Sequence, residues 1–475
     1  MTTLPLTEHT SVQAESAAGN GEFRSSAAFP LPRLRPVADF VALPAPKRYV
    51  TVQAKFGLAL GATALWLLLA AASAAAALPA MDEVVPWPIG AVLFLVVVAL
   101  PGMVVTFSLA GLVLDQPPTP TVVRPALPTT VAITARNQAR SVVVTLGALR
   151  TQDYDGPLTV LLVDNGSTDA TVDEARRAAA QLGIDLKVLV ERRVGVVYAR
   201  NAATAVTDTP LLVVMDAGTV LHPSAVRLLV ARLLRSPSDT AAVSAHALVR
   251  NTRNGDLPEV IAYDYSLNAH ANQRVHGLFQ APLVAEGACS LFRTDAVRAV
   301  EGWSRDDADG VMITWRFLER GWRVFHEPLA VAFTSQPVTL GSWAARRVRA
   351  ANSIVEGARV KGLRSLRFPF NRFVAMVDAT APVLDGVFTG GALLALALAV
   401  MGAPELLFAY LLLVLPMSLV FAVAIRRAMR RGLDDVGLTV PGGPRAWLGT
   451  GLSLHAVQAP LGAWNALAQL FGRVD

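Results

Sequence analysis

Two long stretches near the start of the chain contain no charged residue, and they limit the possible folds more than any other feature. They cover residues 56–81 and 84–114. A helix of about 20 apolar residues crosses the roughly 30 Å hydrocarbon core of a bilayer, and both stretches are longer than that. Helices buried inside a soluble protein are usually shorter. We therefore predict a hairpin of two membrane-spanning helices.

Uncharged stretches return near the end of the chain. Residues 386–404 and 406–425 form two of them, separated by Glu405. A third, residues 446–472, also contains polar side chains, so a membrane span and a helix lying in the membrane interface are both open for it. The C-terminal part is therefore predicted to hold two or three membrane helices.

Basic residues next to these stretches set the expected orientation, because positive charge is enriched on the cytoplasmic side. Lys47, Arg48 and Lys55 precede the first stretch, and four arginines lie within the six residues after residue 425. Both positions should then be cytoplasmic. We predict a flexible cytoplasmic tail (1–50), a transmembrane hairpin (51–115), a cytoplasmic domain (116–368) and a C-terminal membrane region (369–475).

Composition agrees with a chain that is partly solvated by lipid. Charged residues make up 16%, against about 25% in an ordinary soluble domain, and the mean hydropathy is +0.45. The net charge of +6 is attributed to the positive-inside bias, so no nucleic-acid partner is expected. A single cysteine, Cys289, excludes an intrachain disulfide.

The middle part alternates short apolar segments with amphipathic ones, which predicts an α/β domain with a parallel sheet. Asp164 and Asp216 end two of the apolar segments. Ligands of such sheets bind beyond the carboxyl ends of the strands. The two acids therefore favour a nucleotide or metal site, although acids at strand ends can also simply cap loops. The predicted strands are residues 130–134, 158–163, 186–190 and 211–215, and the predicted helices are residues 141–150, 171–182 and 196–206.

Five motifs in this part occur in a specific order and spacing. They resemble the signatures of family 2 glycosyltransferases with the GT-A fold. With its flanking apolar stretches, the chain resembles the membrane-embedded subgroup that includes cellulose, chitin, hyaluronan and poly-N-acetylglucosamine synthases. The resemblance implies a Rossmann-like GT-A domain flanked by transmembrane helices. The motifs lie at residues 151–169, 195–201, 214–223, 286–303 and 316–322.

The resemblance also implies roles for residues at the donor side. Asp164 would face the uracil of a UDP-sugar, Asp216 would contact ribose and a Mg²⁺ or Mn²⁺ ion, and Gly195 would let the backbone approach the diphosphate. Cationic side chains would balance the negative charge of the diphosphate. The full donor-side set is Ala135, Asp164, Gly195, Arg200, Asp216, Arg346, Arg347 and Arg349. For the last three, a basic interfacial helix is an equally weighted alternative.

On the acceptor side, the resemblance implies Gly287, Ala288, Cys289 and Ser290. The attacking hydroxyl needs a general base within hydrogen-bonding reach. That role falls on a carboxylate just before the motif at residues 316–322, with Asp309 as the candidate and Asp306 and Asp307 as rivals. One base with direct displacement inverts the anomeric carbon.

Several positions depart from the family pattern. Gly218 stands where the family carries a metal-binding acid, and His222 is either a substitute ligand or a surface residue in a loop. Gly310, Met312 and Ala350 replace further motif residues. These changes keep a second hypothesis open: a catalytically weak or inactive homologue that serves as a binding or assembly subunit.

Together these observations predict a multi-pass protein of the cell membrane with its catalytic domain in the cytoplasm. The expected partners are a nucleotide-sugar donor, a growing glycan or lipid-linked acceptor, the lipid bilayer, and proteins of a polysaccharide-synthesis or export complex.

Overall fold

A computed structural model describes residues 50–114, 124–250, 288–304, 310–335 and 362–439. It also describes positions 36, 259, 260, 262, 263, 265, 339, 341 and 345. The predicted N-terminal tail, apart from Pro36 and Val50, lies outside these residues. The uncharged stretch at 446–472 lies outside them entirely.

The first described part is a pair of long helices, α1 (Val52–Met81) and α2 (Trp87–Leu114). Both are long and apolar enough to cross a membrane. Thr51 caps α1, accepting a hydrogen bond from the amide of Ala54 at 3.3 Å. Asp82 accepts one from the amide of Trp87 at 2.6 Å, at the start of α2. The short polar link between the uncharged stretches therefore closes a helical hairpin.

Close packing joins the two helices where α2 contains a π-helical turn, Leu95–Ala99. The indole nitrogen of Trp66 donates to the carbonyl oxygen of Ala99 at 3.1 Å. The Trp66 ring lies so close to Gly102 that a Cβ there would be 1.9 Å from its Cζ2 atom. Buried backbone groups need hydrogen-bond partners, so the tryptophan both fills this contact and satisfies a carbonyl.

Gly102→Ala is expected to destabilise the helical hairpin by about 1–3 kcal/mol, the usual cost of overpacking a close contact. The added methyl group would collide with the Trp66 ring. Thermal unfolding of the full chain in detergent measures the effect. Gly57→Ala in α1 is the matched control, because nothing lies within 4 Å of a Cβ at that position. Equal unfolding temperatures of the two variants would contradict the prediction.

The middle part is built on one sheet, whose strand order within the described residues is β3-β2-β1-β4-β7-β6-β8-β5. β1 pairs in parallel with β2 and β4, and β2 pairs in parallel with β3. β7 is antiparallel to both β4 and β6. The strands are β1 (Thr129–Ala135), β2 (Leu158–Asp164), β3 (Leu186–Val190), β4 (Leu211–Asp216), β5 (Val220–Leu221), β6 (Thr240–Val249), β7 (Cys289–Arg293) and β8 (Arg323–Thr334).

Helices cover both faces of this sheet. Alternate side chains of the buried strands accordingly enter two separate hydrophobic clusters, one on each face. Val131 and Ile133 of β1 join one cluster, and Ala132 joins the other. The first cluster includes residues of α3 (Ala139–Arg150), α4 (Thr171–Leu182) and α6 (Ala225–Arg235). The second includes residues of α5 (Val196–Val206), α7 (Thr294–Ala299) and α8 (Val311–Glu319).

Two more helices follow, α9 (Pro369–Val400) and α10 (Glu405–Asp434). α10 is long and apolar enough to cross a membrane, and among the residues of α9 whose side chains are described, Gly390–Val400 form a shorter apolar stretch. Near the first turns of α1 and α9, Phe56, Phe107 and Phe373 pack together with ring centroids 4.8–5.9 Å apart. This aromatic cluster joins α9 to the N-terminal hairpin.

Candidate functional site

The carboxyl ends of three parallel strands bring the two predicted acids to one edge of the sheet. Ala135 at the end of β1 is in register with Asp164 of β2. The preceding residue, Thr134, is in register with Asp216 of β4. Ala135, Asp164 and Asp216, which are far apart in the sequence, therefore form one row at the edge where ligands of α/β sheets bind.

Asp216 faces solvent, with its side chain 54% exposed, while one of its oxygens is engaged by the protein. The Thr134 hydroxyl donates to Oδ1 at 2.7 Å. The guanidinium of Arg200 lies 3.7 Å from the same oxygen, and the Arg200 side chain is only 6% exposed. Arginine is always protonated in proteins. The structure therefore places a fixed positive charge behind the carboxylate.

Asp164 and its neighbour Asn165 hold the loops on the other side of the row. Asp164 is buried, and its Oδ1 accepts a hydrogen bond from the amide of Ser167 at 3.3 Å. The side chain of Asn165 donates to the Arg193 carbonyl at 2.7 Å and accepts from the Gly195 amide at 2.7 Å. Asn165 thereby fixes the loop that leads to Gly195. Its position directly after a strand-ending acid was the only sequence signal for this role.

Gly195 takes a backbone conformation that suits glycine, with φ of +141°, just before α5. A Cβ there would lie 3.1 Å from the Tyr198 ring. The Arg193 guanidinium stacks on that ring, 4.8 Å from its centroid. Hydrogen bonding from Arg193 lowers the pKa of Glu191 to about 2, so this ion pair stays charged at neutral pH. The loop therefore brings an exposed backbone and a cation to the edge of the site.

The loops after β1 and β2 are joined to each other. Asn137 has a φ of +54°, and its side-chain oxygen accepts from the amide of Thr168 at 2.8 Å. Its own amide donates to the Ser167 hydroxyl at 3.0 Å. Asp169 binds the hydroxyl of Thr171, whose Oγ1 also accepts from the amide of Gln138. These bonds give the site a defined wall.

Part of the first motif is structural. The Asp153 carboxylate forms an ion pair with Arg227 at 3.0 Å and accepts from the Ser224 hydroxyl at 2.9 Å. The side-chain nitrogen of Gln152 donates to the backbone carbonyl of His222 at 3.0 Å. Its side-chain oxygen accepts from the backbone amide of Val226 at 3.2 Å. Residues 152 and 153 thus anchor the segment that enters α6, shortly after Asp216.

The residues around Asp216 do not by themselves make a divalent metal site. Gly218 has a φ of +97°, and its amide donates to the Thr145 hydroxyl at 2.8 Å. His222 is fully buried, and burial lowers its pKa. The alternative of a surface residue is therefore wrong, and the role of a substitute ligand stays a prediction. No group of three or more His, Cys, Asp or Glu side chains in the described part is arranged to hold a metal ion.

Ala288, Cys289 and Ser290 lie beside the end of β4, since Cys289 is in register with Met215 and Ser290 with Val214. All three side chains are buried. The three residues predicted for the acceptor side therefore occupy a buried position in the sheet next to Asp216. Gly287 lies outside the described residues.

Cys289 is expected to resist alkylation in the folded protein. Desolvation, with a smaller effect of the Asp216 charge, raises the pKa of its thiol to about 12. Since the thiolate is the nucleophile, N-ethylmaleimide at pH 7.5 should label under a tenth of the protein in an hour. Full labelling should follow unfolding in guanidinium chloride, which serves as the control. Rapid labelling of the folded chain, read by mass spectrometry, would contradict this.

A further pair of contacts was not foreseen from the sequence. The Asn201 side chain donates to the Trp303 carbonyl at 2.8 Å and accepts from the Trp303 amide at 2.9 Å. Arg316 of α8 donates to the Gly302 carbonyl at 3.2 Å. These bonds fix the turn that precedes residues 305–309. Asp306, Asp307 and Asp309, together with Arg346, Arg347 and Arg349, lie outside the described residues.

Known proteins resemble this same part of the chain. Residues 125–353 match the family model described as "Glycosyltransferase like family 2". An N-acetylglucosaminyltransferase of Rhizobium leguminosarum bv. viciae is 27% identical over 220 residues, 44% of this chain and 51% of that protein. A poly-beta-1,6-N-acetyl-D-glucosamine synthase of Staphylococcus aureus is 24% identical over 229 residues, 47% and 54% of the two chains. The chain thus spans about half the length of these relatives.

Among solved structures, the mannosyltransferase PcManGT from Pyrobaculum calidifontis, in complex with GDP-Man and Mn²⁺, aligns with a TM-score of 0.49 and 20% identity. The alignment covers 79% of this chain and 99% of that one. The sheet topology confirms the predicted α/β domain, and the family match covers the same part of the chain.

Proposed function

We propose that this chain, whose residues 125–353 match a glycosyltransferase family 2 model, is a membrane-bound glycosyltransferase. It moves a sugar from a nucleotide-sugar donor to a growing glycan or a lipid-linked acceptor. The observation that carries the proposal is the meeting of Asp164, Asp216 and the Gly195 loop at the carboxyl edge of the sheet. This edge combines hydrogen-bond acceptors for a nucleoside with an exposed backbone for a diphosphate.

The donor we propose is a UDP-sugar, with UDP-N-acetylglucosamine as the first candidate. Two kinds of relatives support it by name, an N-acetylglucosaminyltransferase and a poly-N-acetylglucosamine synthase. Asp164 is buried beside Ser167 and can accept a hydrogen bond from a base N–H. Asp216, exposed on the same row, can accept from the ribose hydroxyls.

The reaction is a single displacement with inversion. The acceptor hydroxyl oxygen forms a bond to the anomeric carbon while the bond from that carbon to the diphosphate oxygen breaks. Asp309 takes the hydroxyl proton, and the nucleoside diphosphate leaves with its electron pair. Arg346, Arg347 and Arg349 stabilise the leaving diphosphate by charge-assisted hydrogen bonds.

The domain faces the cytoplasm in this proposal, and the chain passes through the cell membrane several times. In the part of the chain that the structure describes, three helices are long and apolar enough to cross a bilayer, which supports the membrane association. The arginines near the end of α10 support the cytoplasmic side for that end. Proteins of a polysaccharide-synthesis or export complex are the partners that fit this placement.

A donor panel tests the proposal. The full chain, purified in detergent, is incubated with UDP- and GDP-sugars, with Mg²⁺, Mn²⁺ or a chelator, in the presence of membrane lipid extract. Release of UDP above the level without protein is expected with at least one UDP-sugar, foremost UDP-N-acetylglucosamine. Nucleotide binding without release from any donor would favour the inactive homologue. Neither binding nor release would overturn the proposal.

A further inference from the structure

We infer that this domain binds its donor nucleotide without a divalent cation, and that Asp216 serves as an acceptor for nucleoside hydroxyls instead of as a metal ligand. The inference rests on the proposed function, since it concerns the same donor site. It departs from the usual expectation that the acid at this position holds Mg²⁺ or Mn²⁺. Four features of the described residues lead to it.

The first feature is the charge already present at Asp216. Its Oδ1 accepts a hydrogen bond from Thr134 at 2.7 Å and has the Arg200 guanidinium at 3.7 Å. Arg200 is buried, so solvent screens its charge poorly. A metal ion bound to this carboxylate would sit close to a permanent positive charge. The carboxylate is therefore arranged for a neutral hydrogen-bond donor more than for a second cation.

The second feature is the backbone at Gly218. The left-handed φ of +97° strains any L side chain there, and a Cβ would be only 3.3 Å from the Cβ of Ser141. The Thr145 hydroxyl accepts from the Gly218 amide at 2.8 Å and donates to the Thr219 carbonyl at 2.9 Å. The loop is thus built and held for glycine. The loop therefore differs from a metal-binding loop in its backbone conformation as well as in the missing carboxylate.

The third feature concerns the other side chains that might supply ligands. Asp164 is buried and accepts from the Ser167 amide, and His222 is fully buried. The Cys289 thiol stays protonated at neutral pH, whereas metals bind the thiolate. Mg²⁺ requires near-ideal octahedral oxygen coordination. Of the two acids that end the parallel strands, only Asp216 is accessible, and its charge is already partly neutralised.

The fourth feature is the accessibility of Asp216. Its side chain is 54% exposed although Oδ1 contacts both Thr134 and Arg200. The carboxylate is thus held in a fixed position and still faces the site. Two neighbouring ribose hydroxyls are donors of the kind that such an oriented carboxylate binds well.

The test compares nucleotide affinity with and without metal by calorimetry on the full chain in detergent. UDP is titrated in 5 mM Mn²⁺ (about a saturating concentration for a specific site) and in chelator at matched ionic strength. We expect the two dissociation constants to agree within about two-fold. UDP binding that is ten-fold tighter in Mn²⁺ would overturn the inference and leave the proposed function standing. No binding of UDP or GDP in either buffer would overturn both.

Two variants sharpen the test. Asp216→Asn should weaken uridine and UDP by a similar factor, about 10-fold or more for a lost charged hydrogen bond, with or without Mn²⁺. A loss seen with UDP but not with uridine would point to a metal at the diphosphate and overturn the inference. Gly218→Asp should give no metal-dependent gain over Gly218→Ala, which shares the backbone strain and lacks the carboxylate. A ten-fold gain in Mn²⁺ would likewise overturn it.

Discussion

Asp309→Asn is expected to lower the turnover of donor sugar by about 100- to 10,000-fold, the usual contribution of a general base. The dissociation constant of UDP should stay within about two-fold, because the base acts on the acceptor hydroxyl and not on the nucleotide. Turnover is measured as UDP release under saturating donor, and affinity by calorimetry. A variant that loses turnover but keeps its affinity for UDP has lost a base. A variant that has lost its fold would lose both.

Asp306→Asn and Asp307→Asn are the matched controls, since both acids lie within three residues of Asp309. Each control is expected to keep its turnover within about five-fold of wild type, as for a side chain that takes no proton. The bonds from Asn201 to Trp303 and from Arg316 to Gly302 hold the turn before this segment in every variant. A larger loss from either control, or full activity of Asp309→Asn, would move the role away from Asp309.

Arg227→Ala is expected to destabilise the α/β domain by about 3–5 kcal/mol, the usual result of removing one partner of a buried ion pair. The Arg227 side chain is 2% exposed and lies 3.0 Å from Asp153, whose side chain is 18% exposed. Removing the arginine leaves a carboxylate in a poorly solvated place. In a domain of this size the loss corresponds to a fall in Tm of about 6–20 °C, measured by near-UV circular dichroism of the full chain in detergent.

Arg177→Ala in α4 is the control for this effect. Arg177 also forms an ion pair, with Glu174 at 2.6 Å, but its side chain is 62% exposed. Exposed pairs contribute about 0–1 kcal/mol, so Tm should change by no more than about 4 °C. Similar shifts for both variants would show that the Arg227 and Asp153 pair does not anchor the segment entering α6.

The four parallel strands were predictable because each is a short run rich in Val, Leu or Ile, and β1, β2 and β4 are largely buried. Their observed bounds differ from the expected ones by one residue at most, as in β1, Thr129–Ala135. The two helices of the N-terminal hairpin were equally predictable, since an uncharged stretch of this length is typical of a helix that can cross a bilayer. Asp164 and Asp216 could be placed at one edge because the carboxyl ends of neighbouring parallel strands coincide.

The other half of the sheet could not be predicted in the same way. β7 runs antiparallel to β4, and β6 then pairs in parallel with β8. These strands are far apart in the chain, and local sequence carries no signal for which long-range pairing will form. The same limit applies to Asn165 and Asn201, whose partners lie 30 and 102 residues away.

The amino-acid sequence alone predicted which stretches are long and apolar enough to cross a bilayer, that the middle part is an α/β domain, and which acids stand at the strand ends. Apolar periodicity and the absence of charge are local properties, and burial follows from them directly. Only the tertiary structure decided what surrounds those acids. Arg200 and Thr134 come to Asp216 from another helix and another strand, Gly218 is held in a left-handed turn by Thr145, and His222 is enclosed. Charge and coordination at the site depend on these distant contacts, because electrostatic interactions act between neighbours in space and not in sequence.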